Sequence, residues 1–212
     1  MYFVGFGSFS EYDVKNKSIC ETDHEKPNNL YGLSKNTFKL FSKNFCEVTN
    51  FKWLWIRPCY IYGPSDVKSR LIPTVIESCL KNQNLVLNSC DSIIDYLYIQ
   101  DFVEAVHCLI DNKSNGVFNI CSGKQYKIKD LVHKIHSLCD SDTQINFDSS
   151  KDRDNFSKFI CGKNDKLINS TNWAQRYDID AGLKETIKYF EKILRDEAEY
   201  NEDYFTNCMS RH

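Results

Sequence analysis

The run Trp53-Leu54-Trp55-Ile56 contains no polar residue and closes on Arg57-Pro58. Successive side chains of a strand point to opposite faces, so four apolar residues in a row require cover on both sides. A strand buried on both faces belongs to a mostly parallel sheet with helices above and below it. The rest of the chain supplies elements of both kinds. Tyr2 to Gly7 reads as a short buried strand ending in glycines, and Leu85-Val86-Leu87, Ile94 to Ile99, Gly116 to Cys121 and the pair Ile145 and Phe147 read as further strands. Helical spacing runs from Tyr31 to Val48, where Phe38, Phe41, Phe45 and Val48 recur at three and four residues. Leu71 to Leu80 is a second helix, with Pro73 in its first turn, and Ile128 to Cys139 is another. Asp101 reads as the N-cap of a helix through Ile110, and Asp180 as that of a last helix through about Leu194. Asp13 to Asn29 and Asp148 to Lys158 read as loops, the second holding Asp152, Arg153 and Asp154 on a solvated stretch. Alternating strands and helices predict an α/β fold.

Composition removes several classes of function. With 27 basic against 29 acidic residues, no charge excess favours nucleic acid, and no apolar stretch is long enough to span a membrane. The N-terminus lacks a basic segment before its apolar residues, so the expected compartment is the cytoplasm. The 10 cysteines are spread evenly with no C-x-x-C pair, and several lie inside apolar runs such as that around Cys108 and Cys121. They read as small buried hydrophobes in a reducing compartment, not as zinc ligands. His133 and His136 share a helical face without a Cys or carboxylate pattern, so no metal site is expected.

Chemistry enters with Tyr31-Gly-Leu-Ser-Lys35. Tyr and Lys four apart at the start of a helix share one face. A neutral phenol is a poor base near neutral pH, and an ammonium beside it stabilises the phenolate. Alone, this spacing describes many solvated helical faces. Here it lies between two further landmarks. Gly7-Ser8-Phe9-Ser10-Glu11-Tyr12 places a hydroxyl at the C-terminal end of a strand, where α/β sheets bind ligands. Arg57-Pro58-Cys59-Tyr60-Ile61-Tyr62-Gly63-Pro64 follows the next buried strand.

That order resembles the extended short-chain dehydrogenase/reductases of the nucleotide-sugar epimerase/dehydratase type. The likeness continues through Arg70-Leu71-Ile72-Pro73, Asp95 to Asp101, Gly116 to Ile120, Trp173 and Asp180-Ala-Gly182-Leu183, so it reaches about Lys192. The resemblance implies a Rossmann-like parallel sheet with a smaller C-terminal substrate-binding domain. It implies Ser8, Tyr31 and Lys35 as catalytic residues: Ser8 hydrogen-bonding the sugar oxygen, Tyr31 as acid and base, and Lys35 tuning it while holding the nicotinamide ribose. Pro58 and Cys59 would pass the nicotinamide of NAD or NADP, and Tyr60 and Arg70 would line the pocket for a nucleotide-diphosphate sugar. Tyr60 reads equally well as core packing, whereas Arg70 beside Leu71-Ile72 has an anion to meet. The family's homodimer, packed through the Tyr31 helix, would use the surplus apolar surface of Phe38, Phe41 and Phe45.

Departures from the family are as informative. The likeness covers only the C-terminal two-thirds of the family, and the sheet is expected to be truncated at its N-terminal half. No G-x-x-G-x-x-G turn precedes the first strand, and Gly5-Phe-Gly7 does not replace it, since Ser10 stands where a third glycine belongs. Ile94 occupies the place where the family often carries an Arg for the nucleotide's phosphates. Phe9-Ser10 stands where dehydratases carry Asp-Glu, which disfavours elimination of water. The expected division is 1–63 as the remaining part of the cofactor domain, which later strands also join, 64–194 as the substrate region and 195–212 as a polar tail. Two functions stay open: epimerase or 4-keto reductase chemistry, and a non-catalytic fragment or degenerate member acting as a binding or regulatory partner.

Overall fold

In the computed structural model, the described residues are 1–13, 17–152 and 158–209, with side chains described as far as 196. Strand β2 (Lys52–Pro58) lies at the centre of a three-stranded parallel sheet, between β1 (Tyr2–Phe6) and β7 (Gly116–Ile120). Its alternation separates two layers. Trp53 and Trp55 stack 6.0 Å apart and pack with Cys46 of helix α1 (Leu30–Val48). Leu54 and Ile56 face the other way, into a cluster with Ala105 and Leu109 of α3 (Ile99–Asp111) and Leu167 of α5 (Asp165–Thr171). The apolar run is therefore covered on both faces by helices, as it required. Strand β1 is less enclosed: Tyr2, Phe3 and Val4 are half-buried and Phe6 is exposed, because β1 lies at the edge of the described sheet.

Smaller pieces build the second layer. Strand β3 (Tyr60–Tyr62) pairs in parallel with β6 (Tyr96–Tyr98). Strand β4 (Leu85–Leu87) pairs in parallel with β9 (Ile145–Phe147). Strand β5 (Ile93–Ile94) lies between β10 (Phe159–Ile160), which is parallel to it, and β8 (Tyr126–Lys127), which is antiparallel. Helices α2 (Leu71–Leu80), α4 (Ile128–Leu138) and α6 (Ile179–Met209) pack around these strands in the largest apolar cluster, which includes Val75, Ile76, Val132, Ile135 and Leu183. None of the helices among the described residues is long and apolar enough to cross a membrane.

Four expectations require correction. The strand from Ile94 to Ile99 is two strands, β5 and β6, parted by Asp95. The Asp95 carboxylate is fully buried and accepts from the Ser122 amide at 2.9 Å, its hydroxyl at 2.7 Å, and the amides of Gly123 and Gly162 at 2.9 and 3.2 Å. Those bonds pull the chain out of line, and each half then pairs with a different sheet. Asp101 is not an N-cap: Tyr98 holds that position, and Asp101 is buried, accepting from the amides of Arg176 at 2.8 Å and Tyr177 at 3.0 Å. Asp178, not Asp180, accepts the Ala181 amide at 2.8 Å, while Asp180 pairs with Lys134 across to α4. Helix α6 runs on to Met209 because no Gly or Pro after Gly182 stops it. In the loop expected to be solvated, Asp152 is indeed exposed and accepts the Ser89 amide at 2.8 Å, and Arg153 and Asp154 lie outside the described residues.

Candidate active site

Ser8 leaves the end of β1 and caps a 3-10 turn over Phe9–Glu11. Its hydroxyl accepts the Ser10 amide at 3.1 Å, and its own amide donates to Glu11 Oε1 at 2.8 Å, a reciprocal cap in a single turn. Gly7 makes this fold possible, since a Cβ there would stand 2.0 Å from Glu11 Oε1 and 2.3 Å from Trp55 Nε1. Glu11 is fully buried, and it also receives Trp55 Nε1 at 3.1 Å and Arg57 Nε at 2.9 Å.

Helix α1 begins against this turn. Asn29 caps it, its side chain accepting the Gly32 amide at 2.8 Å. A Cβ on Gly32 would meet the Ser10 carbonyl at 2.1 Å, so only glycine lets the helix start this close to the Ser8 turn. The approach brings Tyr31 and Lys35 to the C-terminal end of β1. The Lys35 ammonium lies 5.7 Å from the Tyr31 ring centroid and donates to the Phe6 carbonyl at 2.9 Å. Helix α1 turns polar and small residues inward, burying Gly32, Lys39, Ser42 and Cys46, while Phe38, Phe41 and Phe45 are exposed.

One cavity of about 800 Å³ collects most of the residues singled out in the sequence: Ser8, Tyr31, Pro58, Cys59, Tyr60 and Arg70 all line it. Lys35 is not in its wall and reaches the end of β1 instead. Tyr60 lines the cavity and also packs on Tyr96, ring centroids 5.7 Å apart. Burial pushes the Tyr60 phenol up to about 12, with the Cys59 thiol adding to it and Arg70 opposing it. Burial also drives the Cys59 thiol well above its ordinary range, which keeps it protonated and apolar at neutral pH. Arg70 is largely exposed and pairs with Asp66 at 3.2 Å. Ile94, fully buried, lines the same cavity.

Several lining residues had no signal in the sequence. Asp66 lies in the loop before α2, where it pairs with Arg70. Tyr96 and Lys158 come from strand pairings distant in sequence, which periodicity does not reveal. His133 packs edge-on against Phe147, and the His136 ring bonds the Thr143 carbonyl at 2.9 Å.

Tyr31, Pro58 and Cys59 are the lining residues that could hold one end of a dinucleotide cofactor. Pro58 and Cys59 lie where the chain leaves β2, Tyr31 faces the same cavity from α1, and Lys35 lies beside the Tyr31 ring. No glycine-rich turn between a strand and a helix, the usual pyrophosphate cradle, occurs among the described residues.

A sequence profile described as the NAD dependent epimerase/dehydratase family matches residues 2–121. The chain is 27% identical over 143 residues to a dTDP-6-deoxy-L-talose 4-dehydrogenase (NAD(+)) of Aggregatibacter actinomycetemcomitans, a match covering 60% of this chain and 53% of that one. It is 23% identical over 178 residues to a GDP-6-deoxy-D-mannose reductase of Pseudomonas aeruginosa, covering 81% of this chain and 59% of that one. Among solved structures, a UDP-glucose 4-epimerase from Thermotoga maritima with UDP-glucose superposes with a TM-score of 0.84 at 21% identity, over 91% of this chain and 64% of that one. The chain thus spans between half and two-thirds of these proteins, and the superposition places its sheet in a Rossmann fold. Since the profile covers more than half of the sequence, the chain belongs to the NAD dependent epimerase/dehydratase family.

Proposed function

We propose that this chain carries the proton-handling and sugar-binding part of an NAD(P)-dependent nucleotide-sugar epimerase or 4-keto reductase. The observation that carries the reading is the cavity shared by Ser8, Tyr31 and Arg70, with Lys35 beside the Tyr31 ring. In this reading NAD or NADP, when bound, supplies the hydride chemistry at a sugar carbon. Tyr31 gives or takes the proton at the sugar oxygen, Ser8 holds that oxygen with its hydroxyl, and the Lys35 charge stabilises the phenolate. Pro58 and Cys59 form the wall behind the nicotinamide. Tyr60 and Arg70 hold the nucleotide-diphosphate sugar, Arg70 by exchanging Asp66 for a phosphate. Phe9-Ser10 after Ser8 offers no acid–base pair for eliminating water, so reduction or epimerisation is favoured over dehydration. Residues 1–63, with β7, form the cofactor side and 64–194 the substrate side. The expected setting is a cytoplasmic homodimer.

One observation favours a second reading, a binding or regulatory partner without catalysis: Ile94 is apolar and buried in the cavity wall, and Arg70 is already paired. Thermal unfolding with nucleoside diphosphate sugars separates the two. A ligand at a hundredfold excess over Kd adds about 2.7 kcal/mol of stability, a shift that Arg70→Ala should remove. If no nucleotide sugar shifts the transition, the catalytic reading is abandoned. Calorimetry with NAD and NADP adds a second measure. Without a pyrophosphate cradle, binding to this chain should be weaker than micromolar.

A further inference from the structure

A line of buried charge joins the Ser8 turn to helix α1. Glu11 holds the Ser8 amide at 2.8 Å and Arg57 Nη2 at 2.8 Å. Arg57, fully buried, passes from Glu11 to Glu25, its Nη2 lying 2.5 Å from Glu25 Oε1. Glu25 in turn pairs with Lys39, which is buried on α1 one turn beyond Lys35. The Tyr12 ring lies 4.3 Å from the Arg57 guanidinium carbon and closes one side of the line. The charges alternate in sign from one end to the other. Burial alone would raise the Glu25 carboxyl, but Lys39 and Arg57 outweigh it and hold it below its ordinary value.

We infer that Glu11, Arg57, Glu25 and Lys39 are positioning residues, an ion-pair ladder that sets the Ser8 hydroxyl against Tyr31. The inference rests on the roles proposed above for Ser8 and Tyr31. Covalently, Ser8 and Tyr31 are joined only through the long segment between them, which crosses the polar stretch before Asn29. The ladder gives a shorter connection, through side chains with fixed bonding geometry. Its first rung ends on the backbone of Ser8 itself, and its last on the helix that carries Tyr31 and Lys35. Stability alone does not account for it, because apolar residues of similar volume would fill the same space without desolvating four charges. Neither Glu11 nor Arg57 lines the cavity, so the ladder acts on the site through the residues it holds, Ser8 and α1 among them.

The test uses this chain with Glu11→Gln at the inner end and Glu25→Gln and Lys39→Met at the outer end. The outer variants retain the Glu11–Arg57 pair, so they remain informative if Glu11→Gln does not fold. Lys39→Arg, which keeps the charge, serves as the conservative control. Two quantities are measured: the Ser8 Oγ to Tyr31 Oη separation in crystals, and calorimetric affinity for UDP-glucose and for UDP. The separation should change by about 1 Å, a displacement that matters to a reacting group. Affinity for UDP-glucose should fall about tenfold, the loss of one well-placed hydrogen bond, while that for UDP stays the same. Lys39→Arg should match the unsubstituted chain in both. Equal weakening toward both ligands would show a merely structural role and overturn the inference, as would an unchanged separation. If the unsubstituted chain binds neither ligand, the substrate reading fails, and the separation alone decides the ladder.

Discussion

The ammonium of Lys35 donates to the carbonyl of Phe6 at 2.9 Å, fastening the first turns of α1 to the last residue of β1. The same ammonium lies 5.7 Å from the centre of the Tyr31 ring. One side chain thus fixes where the helix meets the strand and places positive charge beside the phenol. Tyr31 is itself 56% exposed and lines the cavity, and little of the core depends on it.

Tyr31→Phe should therefore leave folding stability within about 0.5 kcal/mol, as for other exposed positions. Joined to the dinucleotide-binding half of a related enzyme, the same variant should lose about 10²–10⁴-fold in turnover, the usual contribution of a positioned acid and base. Urea unfolding and the absorbance of reduced nicotinamide measure the two effects. Full activity in Tyr31→Phe would remove that residue from the mechanism.

Lys35→Met separates the two tasks of that side chain in another way. It removes the donor to Phe6 and leaves an exposed carbonyl free for water, so the stability cost should stay near about 1 kcal/mol. In the joined enzyme, loss of the charge that lies 5.7 Å from the Tyr31 ring centroid should slow turnover. A turnover equal to that of the unsubstituted enzyme would limit Lys35 to the structural bond.

Glu11 and Arg57 make a different kind of prediction, because both are fully buried. Glu11→Leu strands the guanidinium without its inner partner and should cost about 3–5 kcal/mol in chemical denaturation. Glu11→Leu combined with Arg57→Met removes both charges and should recover most of that loss. A double variant as unstable as the sum of the singles would show that the two residues contribute independently.

What the sequence made legible follows from locality. Trp53 to Ile56 announced a doubly covered strand because alternation is a local property, and Tyr31 with Lys35 announced a shared face because helical spacing is too. Asp95 and Asp101 were misread for the opposite reason. Their partners, Ser122, Gly123 and Gly162 for one and Arg176 and Tyr177 for the other, lie far along the chain. An Asp before an apolar helix looks like a cap until a distant amide claims it. The buried charges of Glu11 and Lys39 were equally hidden, since in sequence a charge reads as solvated. Helix α1 shows both sides: the surplus apolar surface of Phe38, Phe41 and Phe45 is exposed as expected, while nothing local marks Lys39 as buried.

Acid sensitivity can be assigned to Asp23. Its carboxylate accepts the Lys17 ammonium and the Cys20 amide, the latter at 2.8 Å, and these bonds hold its pKa at about 2, below the ordinary carboxylate value. A carboxyl whose folded pKa is depressed contributes stability above its unfolded pKa and loses it as pH falls through the folded one. Asp23→Asn should thus be less stable than the parent at pH 6, with the gap closing between about 4 and about 2. Thermal unfolding across that range measures it, and a gap independent of pH would assign the effect to something other than the charge.

The exposed face of α1 supports the last prediction. Leu33, Phe38 and Phe41 are 51%, 49% and 66% exposed, and Leu30, Ser34 and Thr37 join them around one shallow depression. Phe38 and Phe41 lie with their ring centroids 6.4 Å apart at an interplanar angle of 20°, presenting an apolar platform to solvent. Apolar surface that is contiguous and rimmed by polar residues marks an interaction site in most soluble proteins. A homodimer across a two-fold axis would cover each copy's platform with the other's, so each substitution removes contacts twice. Phe41→Glu would bring two carboxylates into that interface, while in the monomer it only replaces an exposed ring. The expected result in sedimentation is a dimer for the parent chain and a monomer for Phe41→Glu, with unfolding of the monomer unaltered. Lys43→Glu, on the same helix and already exposed beside Glu47, controls for charge alone and should leave the dimer intact. A parent chain that sediments as a monomer at all concentrations would remove the homodimer from the proposal.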